Sequence, residues 1–385
     1  MGRTKLHSLE RGRLVATGDE AKIKLYSLEL GRFLAALLVF ICHLAAFIDV
    51  RAASPQERIF GGMVIGGPFG LQYFFVLSGF VMAYVHQGDF GHIRAIPRFW
   101  WRRACRLYPT YWLALAIPCY YLFPSLTPGL TFHLASLEPD LLPVRFRQEF
   151  IQAVWSMRYE VAFYMLLGVA MLPYIGKVFM GLWVFVTYWR WCWHWFPFTV
   201  FPIHPSWLLF INRVVGEYAP DFISFFELYF FAGLAVGWLF ARARLSLRSW
   251  QLMAAMGVIA VGFLLPGEGW GIFFGNPIRG LFMGLALACV IGGLAGMERH
   301  GALRLGRFAG WAGAMSYPLY VFHGPLMLLS GIWYPCAGCH EARLYAYFAV
   351  MVVLTLAVAA LVTFLFDIPV QRVLRRTLRR SAVGA

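Results

Sequence analysis

An arginine at position 32 and a histidine at position 43 close the two ends of the stretch "RFLAALLVFICH", and everything between them is apolar. Eleven residues at about 100° each return to within about 20° of the starting face of an α-helix, so the two side chains share one side, about 16 Å apart along the axis. Glu29 lies one turn earlier on much the same face. The pair has an ordinary explanation, in which Arg32 snorkels to headgroups and His43 bonds a neighbouring backbone carbonyl. It also has a chemical one: a guanidinium binds an anion, and an imidazole that titrates near working pH takes a proton from a hydroxyl.

Further polar groups extend the chemical explanation. "RRACR" supplies Arg102, Arg103 and Arg106. Arg103 and Arg106 are three residues apart and share a helix face suited to bidentate phosphate binding, whereas Arg102 and Arg94 read as an interfacial basic cluster. "WSMRYEVAFY" supplies Trp155, Arg158, Glu160 and Tyr164 at the mouth of another apolar run, where a glutamate needs a partner or a function. An anionic ligand held by Arg32, Arg103 and Arg106, with proton transfer at His43 and Glu160 orienting it or polarising an acceptor, calls for a long, thin donor. Acyl-CoA has that shape. Tyr159, Trp155 and the Ser78 hydroxyl are the candidate donors to a developing oxyanion. Ser78, in "FFVLSGF", also suits close helix packing beside Gly79, and His323 either lines the same cavity or bonds a backbone carbonyl.

The elements that must hold these residues are membrane helices. The 385 residues are 61% hydrophobic and only 13% charged, too apolar for the surface of a soluble globule. Apolar runs of about 20 residues, enough to cross the hydrocarbon as helices, fall near 28–48, 67–86, 107–126, 156–176, 178–197, 223–241, 250–266, 278–296, 315–334 and 345–367. Pro109, Pro118 and Pro173 blur the edges of the third and fourth. The fold expected is therefore an all-α integral membrane domain of about ten transmembrane helices over 28–369, between a basic arm at 1–27 and a basic tail at 370–385. Lysines and arginines concentrate in the arm, at 94–106, at 242–248, at 299–307 and in the tail, which makes both termini cytoplasmic. The formal net charge of +15 is spread over successive crossings, as suits anionic lipid headgroups and not nucleic acid. No cleavable signal peptide is expected, because the first apolar run follows a long polar arm.

Neither a metal site nor a bound cofactor is expected. "PCAGCH" places Cys336 and Cys339 at the spacing of c-type haem attachment, which a disulfide or two idle thiols explain as well.

Five segments, "LELGRFLAALLVFICH", "GLQYFFVLSGFVM", "RRACRLYP", "WSMRYEVAFY" and "MSYPLYVFH", follow one another in an order that resembles the acyltransferase 3 family of bacterial membrane O-acyltransferases, from Tyr26 to Pro369. The resemblance implies transfer from an acyl donor, acetyl-CoA first among them, to extracytoplasmic polysaccharide or a lipid-linked glycan. It matches Arg32 and His43 to the family's first-helix pair, Arg103 and Arg106 to its basic motif, Glu160 to its acidic position and His323 to the histidine closing its late motif. The chain departs at "FDIP", where many members carry Glu; Asp367 has the shorter reach and is left outside the site. Some relatives add a C-terminal hydrolase-like domain, so a chain reading to 385 is expected to pass the acyl group directly or to a separate protein. An exopolysaccharide acceptor, with bacterial cellulose one possibility, and polysaccharide-synthase proteins as partners complete the expectation. The alternative is a secondary transporter or a lipid-linked glycan flippase without acyl transfer.

Overall fold

The computed structural model describes residues 14–17, 20–54, 56, 58–62, 67–122, 154–192, 223–265, 277–333 and 339–381. A short antiparallel hairpin opens the described chain, β1 (Leu14–Thr17) on β2 (Glu20–Ile23), with Leu14 opposite Ile23. Eleven α-helices follow among the described residues: α1 (Tyr26–Asp49), α2 (Gly67–His86), α3 (Ala95–Leu122), α4 (Val154–Ala170), α5 (Ile175–Cys192), α6 (Glu227–Arg242), α7 (Leu247–Leu264), α8 (Pro277–Arg299), α9 (Arg307–Trp333), α10 (Glu341–Val362) and α11 (Ile368–Ser381). A π-helical turn, Thr363–Asp367, joins the last two.

Five of these helices are long and apolar enough to cross a membrane, within Tyr26–Asp49, Pro68–His86, Leu247–Leu264, Ile278–Arg299 and Glu341–Leu374. The chain is thus a multi-pass, essentially all-α membrane protein, and the expectation of about ten spans is corrected to five candidates among the described residues. The physical reasons differ by helix. α4 and α6, at 17 and 16 residues, are short of the hydrocarbon thickness. α3 carries Arg98, Arg102, Arg103 and Arg106, α5 carries Lys177 and Arg190, and α9 mixes Arg307, Ser316 and His323 with two prolines, Pro318 and Pro325. The placement of both termini on the cytoplasmic side rests on basic residues falling between ten crossings, and it goes with the correction of that count.

Two apolar clusters organise the packing. The larger joins α2, α3, α4, α6 and α8 around Phe80, Phe163, Tyr229 and Phe230. The smaller joins α1, α9 and α10, where Ala36, Phe40, Leu44 and Ile48 recur every four residues along α1 to form one buried stripe. Close approach of α2 and α6 depends on glycine: a Cβ on Gly79 would overlap the carbonyl oxygen of Phe230, and one on Gly233 the carbonyl oxygen of Val76. At the start of α1 the orphan N–H groups of Tyr26 and Ser27 each donate to Glu298 of α8, at 2.8 Å, a carboxylate 2% exposed at the positive end of the helix dipole. The site lies where the two clusters meet.

Candidate active site

α2, α3, α4 and α9 enclose, with the start of α1, a cavity of about 130 Å³ lined by Arg32, Arg103, Arg106, Glu160, Tyr164 and Ser78. Residues from five helices, separated by as much as 288 positions of sequence between Arg32 and Tyr320, thus meet around one space. Each arginine has its own support. Arg32 Nη1 lies 3.4 Å from Glu29 Oε2, the partner one turn away on the same helix. Arg106 Nη1 donates to Asp367 Oδ2 at 2.8 Å, and Asp367 Oδ1 also accepts from Thr110 Oγ1 at 2.6 Å. Arg103 Nη2 donates to His86 Nε2 at 3.0 Å, with its guanidinium 5.6 Å from the Tyr164 ring centre.

Glu160 Oε1 accepts from the hydroxyls of Tyr164, one turn along α4, and of Ser78, the latter at 3.2 Å. This places Glu160 in the arginine cavity and not against His43. Ser78 faces the cavity while its neighbour Gly79 faces α6, so one dipeptide serves both the site and the helix crossing.

The partner of His43 comes from α9. His43 Nδ1 lies 2.9 Å from His323 Nε2, with the rings stacked at 5.2 Å and 20°. His323 Nδ1 is 3.3 Å from the carbonyl oxygen of Leu319, which only accepts, so that nitrogen carries the proton of the neutral ring. His323 Nε2 is then an acceptor, His43 Nδ1–H is its donor, and the lone pair of His43 sits on Nε2. His323 is fully buried and His43 half-buried, as suits a support behind a working group.

Tyr320 stands between the histidines and the cavity. Its ring meets His323 edge-on at 5.9 Å, Phe74 packs on it at 5.6 Å, and its hydroxyl bonds Ser156. Both Tyr320 and Ser156 line the cavity, whereas His43 and His323 do not. Trp155 lies off the cavity too, packed on the rings of Phe226 and Tyr159 at 5.9 and 6.3 Å.

Asp367, His86, Asp89, Ser156, Tyr317 and Tyr320 escaped sequence reasoning. For Asp367 the signal was present in "FDIP" and was set aside on reach. The π-helical turn that ends at Asp367 inserts an extra residue per turn and re-aims the helix, bringing the short side chain to Arg106. Of the "CAGCH" pair, Cys336 lies outside the described residues. Cys339 is disulfide-bonded, which occupies the sulfur that a haem thioether would need.

An α-helical membrane bundle with a histidine pair beside a basic cavity defines a multi-pass membrane enzyme. The "Acyltransferase domain" family model matches residues 25–364, so the chain belongs to the acyltransferase 3 family and is an acyltransferase. It is similar to acyltransferase MdmB of Streptomyces mycarofaciens, 29% identical over 163 residues, which are 37% of this chain and 38% of that protein. The similarity thus spans well under half of the curated relative's length. No solved structure matches the chain.

Proposed function

We propose that this enzyme moves an acyl group, acetyl in the first instance, from acyl-CoA on the cytoplasmic side of a bacterial inner membrane to a carbohydrate hydroxyl on the far side, in exopolysaccharide or lipid-linked glycan modification. Cellulose is one such polymer. The observation that carries the reading is the convergence of Arg32, Arg103 and Arg106 on one cavity, next to a histidine pair whose tautomers leave a lone pair on His43 Nε2.

The three arginines that line the cavity suit the anionic linker of the donor, whose nucleotide base would lie outside. The arginines bind the phosphates. The thioester reaches past Tyr320 towards His43. His43 Nε2 takes the proton of the acceptor hydroxyl, the oxygen adds to the thioester carbonyl, and the C–S bond breaks. The proton returns from His43 to the departing sulfur, so the ester and the free thiol leave both residues as they began. His323 holds the ring and its tautomer throughout. Glu160 organises the hydroxyls of Tyr164 and Ser78 around the donor.

The test is ester-linked acetate released by mild alkali from the polysaccharide secreted by cells carrying the wild-type chain, His43→Ala or Arg32→Ala, at matched membrane abundance. Loss of acetate in both variants with polymer export intact is the expected result. Unchanged acetate in both rules out the carbohydrate acceptor, and a fall in export with acetate unchanged turns the reading to transport.

A further inference from the structure

The three cavity arginines are not held alike. Arg32 and Arg106 each meet a carboxylate directly, at 3.4 and 2.8 Å, so much of their charge is answered within the protein. Arg103 bonds an imidazole instead; the Glu160 carboxylate and the Tyr164 hydroxyl act on it across the cavity, with no direct ion pair to a described residue. A guanidinium only donates, so His86 Nε2 accepts from Arg103 Nη2 at 3.0 Å, and the single proton of the neutral ring lies on Nδ1. That nitrogen is 2.6 Å from Asp89 Oδ2. The order Asp89–His86–Arg103 therefore runs from a 38% exposed carboxylate, through an imidazole 2% exposed, to a guanidinium at the cavity wall.

Local structure builds this chain deliberately. α2 ends at His86, and the following turn brings the N–H of Asp89 to the carbonyl of His86 at 2.9 Å, which folds the carboxylate back under the ring. Gly91 completes the turn at φ +88°, a conformation that side-chain-bearing residues rarely adopt, and its N–H is held by the carbonyl of Met171 at 2.9 Å. Phe99 of α3 closes over the imidazole edge-on at 4.9 Å. Arg103 Nε is buried without a hydrogen-bond partner, one donor still to be used.

Building on the donor-site reading, we infer that His86 and Asp89 are positioning residues that aim Arg103 at the donor's phosphates, and that the link is an imidazole because a neutral partner fixes the guanidinium without cancelling its charge. A carboxylate at position 86 would hold the same geometry and compete with the phosphate for the same cation. The imidazole separates orientation from neutralisation, and Asp89 locks its tautomer from the surface.

The experiment measures binding of labelled acetyl-CoA to the full chain in nanodiscs, with S-acetylpantetheine, which carries the same thioester arm and no phosphate, as competitor. His86→Ala is expected to weaken acetyl-CoA about tenfold, the scale of one charge-assisted hydrogen bond, and to leave S-acetylpantetheine unchanged. His86→Gln, which both accepts and donates, restores acetyl-CoA binding. His86→Glu, nearly the same size and also an acceptor, does not. Wild-type acetyl-CoA affinity in His86→Ala, equal loss of both probes, or equal rescue by Gln and Glu would each overturn the inference. Loss in Arg103→Ala with none in His86→Ala refutes the positioning role alone, whereas equal binding by the wild type and Arg103→Ala refutes the donor site and this inference together.

Discussion

Removing the imidazole behind His43 isolates what orientation contributes to the transfer. His323 accepts the Nδ1–H of His43 at 2.9 Å and is itself anchored to Leu319, so His323→Ala frees the His43 ring to rotate and to exchange tautomers. A positioned general base contributes roughly 10²–10⁴ in rate. Loss of an ionised orienting partner in a serine-protease triad costs about 10⁴, but His323 is neutral and gives no charge stabilisation to an imidazolium. The expected loss is therefore near the lower end, about 100-fold in kcat or about 2.7 kcal/mol, with KM for acyl-CoA little changed because the arginine cavity is untouched. The assay is thiol release from acetyl-CoA by the full chain in nanodiscs with an acceptor oligosaccharide. Thermal unfolding in parallel separates the cost of emptying a fully buried position. His323→Gln, which keeps an acceptor, recovers part of kcat. Because the two rings act as one unit, the double variant His43→Ala/His323→Ala is no slower than His43→Ala alone. A kcat for His323→Ala within twofold of wild type, or a double variant slowed by the product of the two single losses, refutes the pairing.

Asp367→Asn replaces the charged acceptor of Arg106 and perturbs its bond from Thr110, so it is expected to raise KM for acyl-CoA about tenfold and lower stability by about 1–3 kcal/mol; kinetics and thermal unfolding of the same preparation check both. Glu298→Ala removes the acceptor for two N–H groups at the start of α1, with an expected loss of about 2–4 kcal/mol of stability and no direct effect on chemistry, read as a lower unfolding temperature with kcat retained in the folded fraction. Gly79→Ala sets a methyl against the Phe230 carbonyl and is expected to cost about 1–3 kcal/mol, visible as reduced thermal stability in detergent. Tyr164→Phe removes one of two hydroxyls from Glu160 Oε1 and is expected to lower kcat/KM about three- to tenfold, measured by the same thiol release.

Local spacing made much of this architecture readable. Helical phase alone placed Arg32 and His43 on one face of an apolar helix, close to the observed Tyr26–Asp49, and the apolar run expected at 67–86 coincides with α2. The number of crossings was misjudged because apolar runs were weighed one by one, while α3 continues from the basic segment through Pro109 as a single 28-residue helix. Contacts between distant residues were beyond periodicity. His43 meets His323 across 280 positions and Arg106 meets Asp367 across 261, and neither helix pattern encodes its partner. Glu160 and His43 were grouped by their expected depth in the membrane, whereas tertiary packing sends Glu160 to the arginines. His86 and Asp89 were the nearest miss: the i, i+3 spacing at a helix end was visible, but its use depends on Arg103 arriving from α3.

The glycine seam between α2 and α6 has a consequence for anyone wishing to reshape the arginine cavity for a bulkier donor. The backbones at Gly79 and Gly233 already lie closer than a methyl group allows, so α2 cannot be pushed outward and its backbone is a fixed bulkhead. Enlargement therefore has to come from shortening side chains that line the space, such as Phe74 and Leu77 of α2, Met157 of α4 and Tyr317 and Tyr320 of α9. Selection for new donors should concentrate its substitutions on those side chains and leave Gly79 and Gly233 untouched.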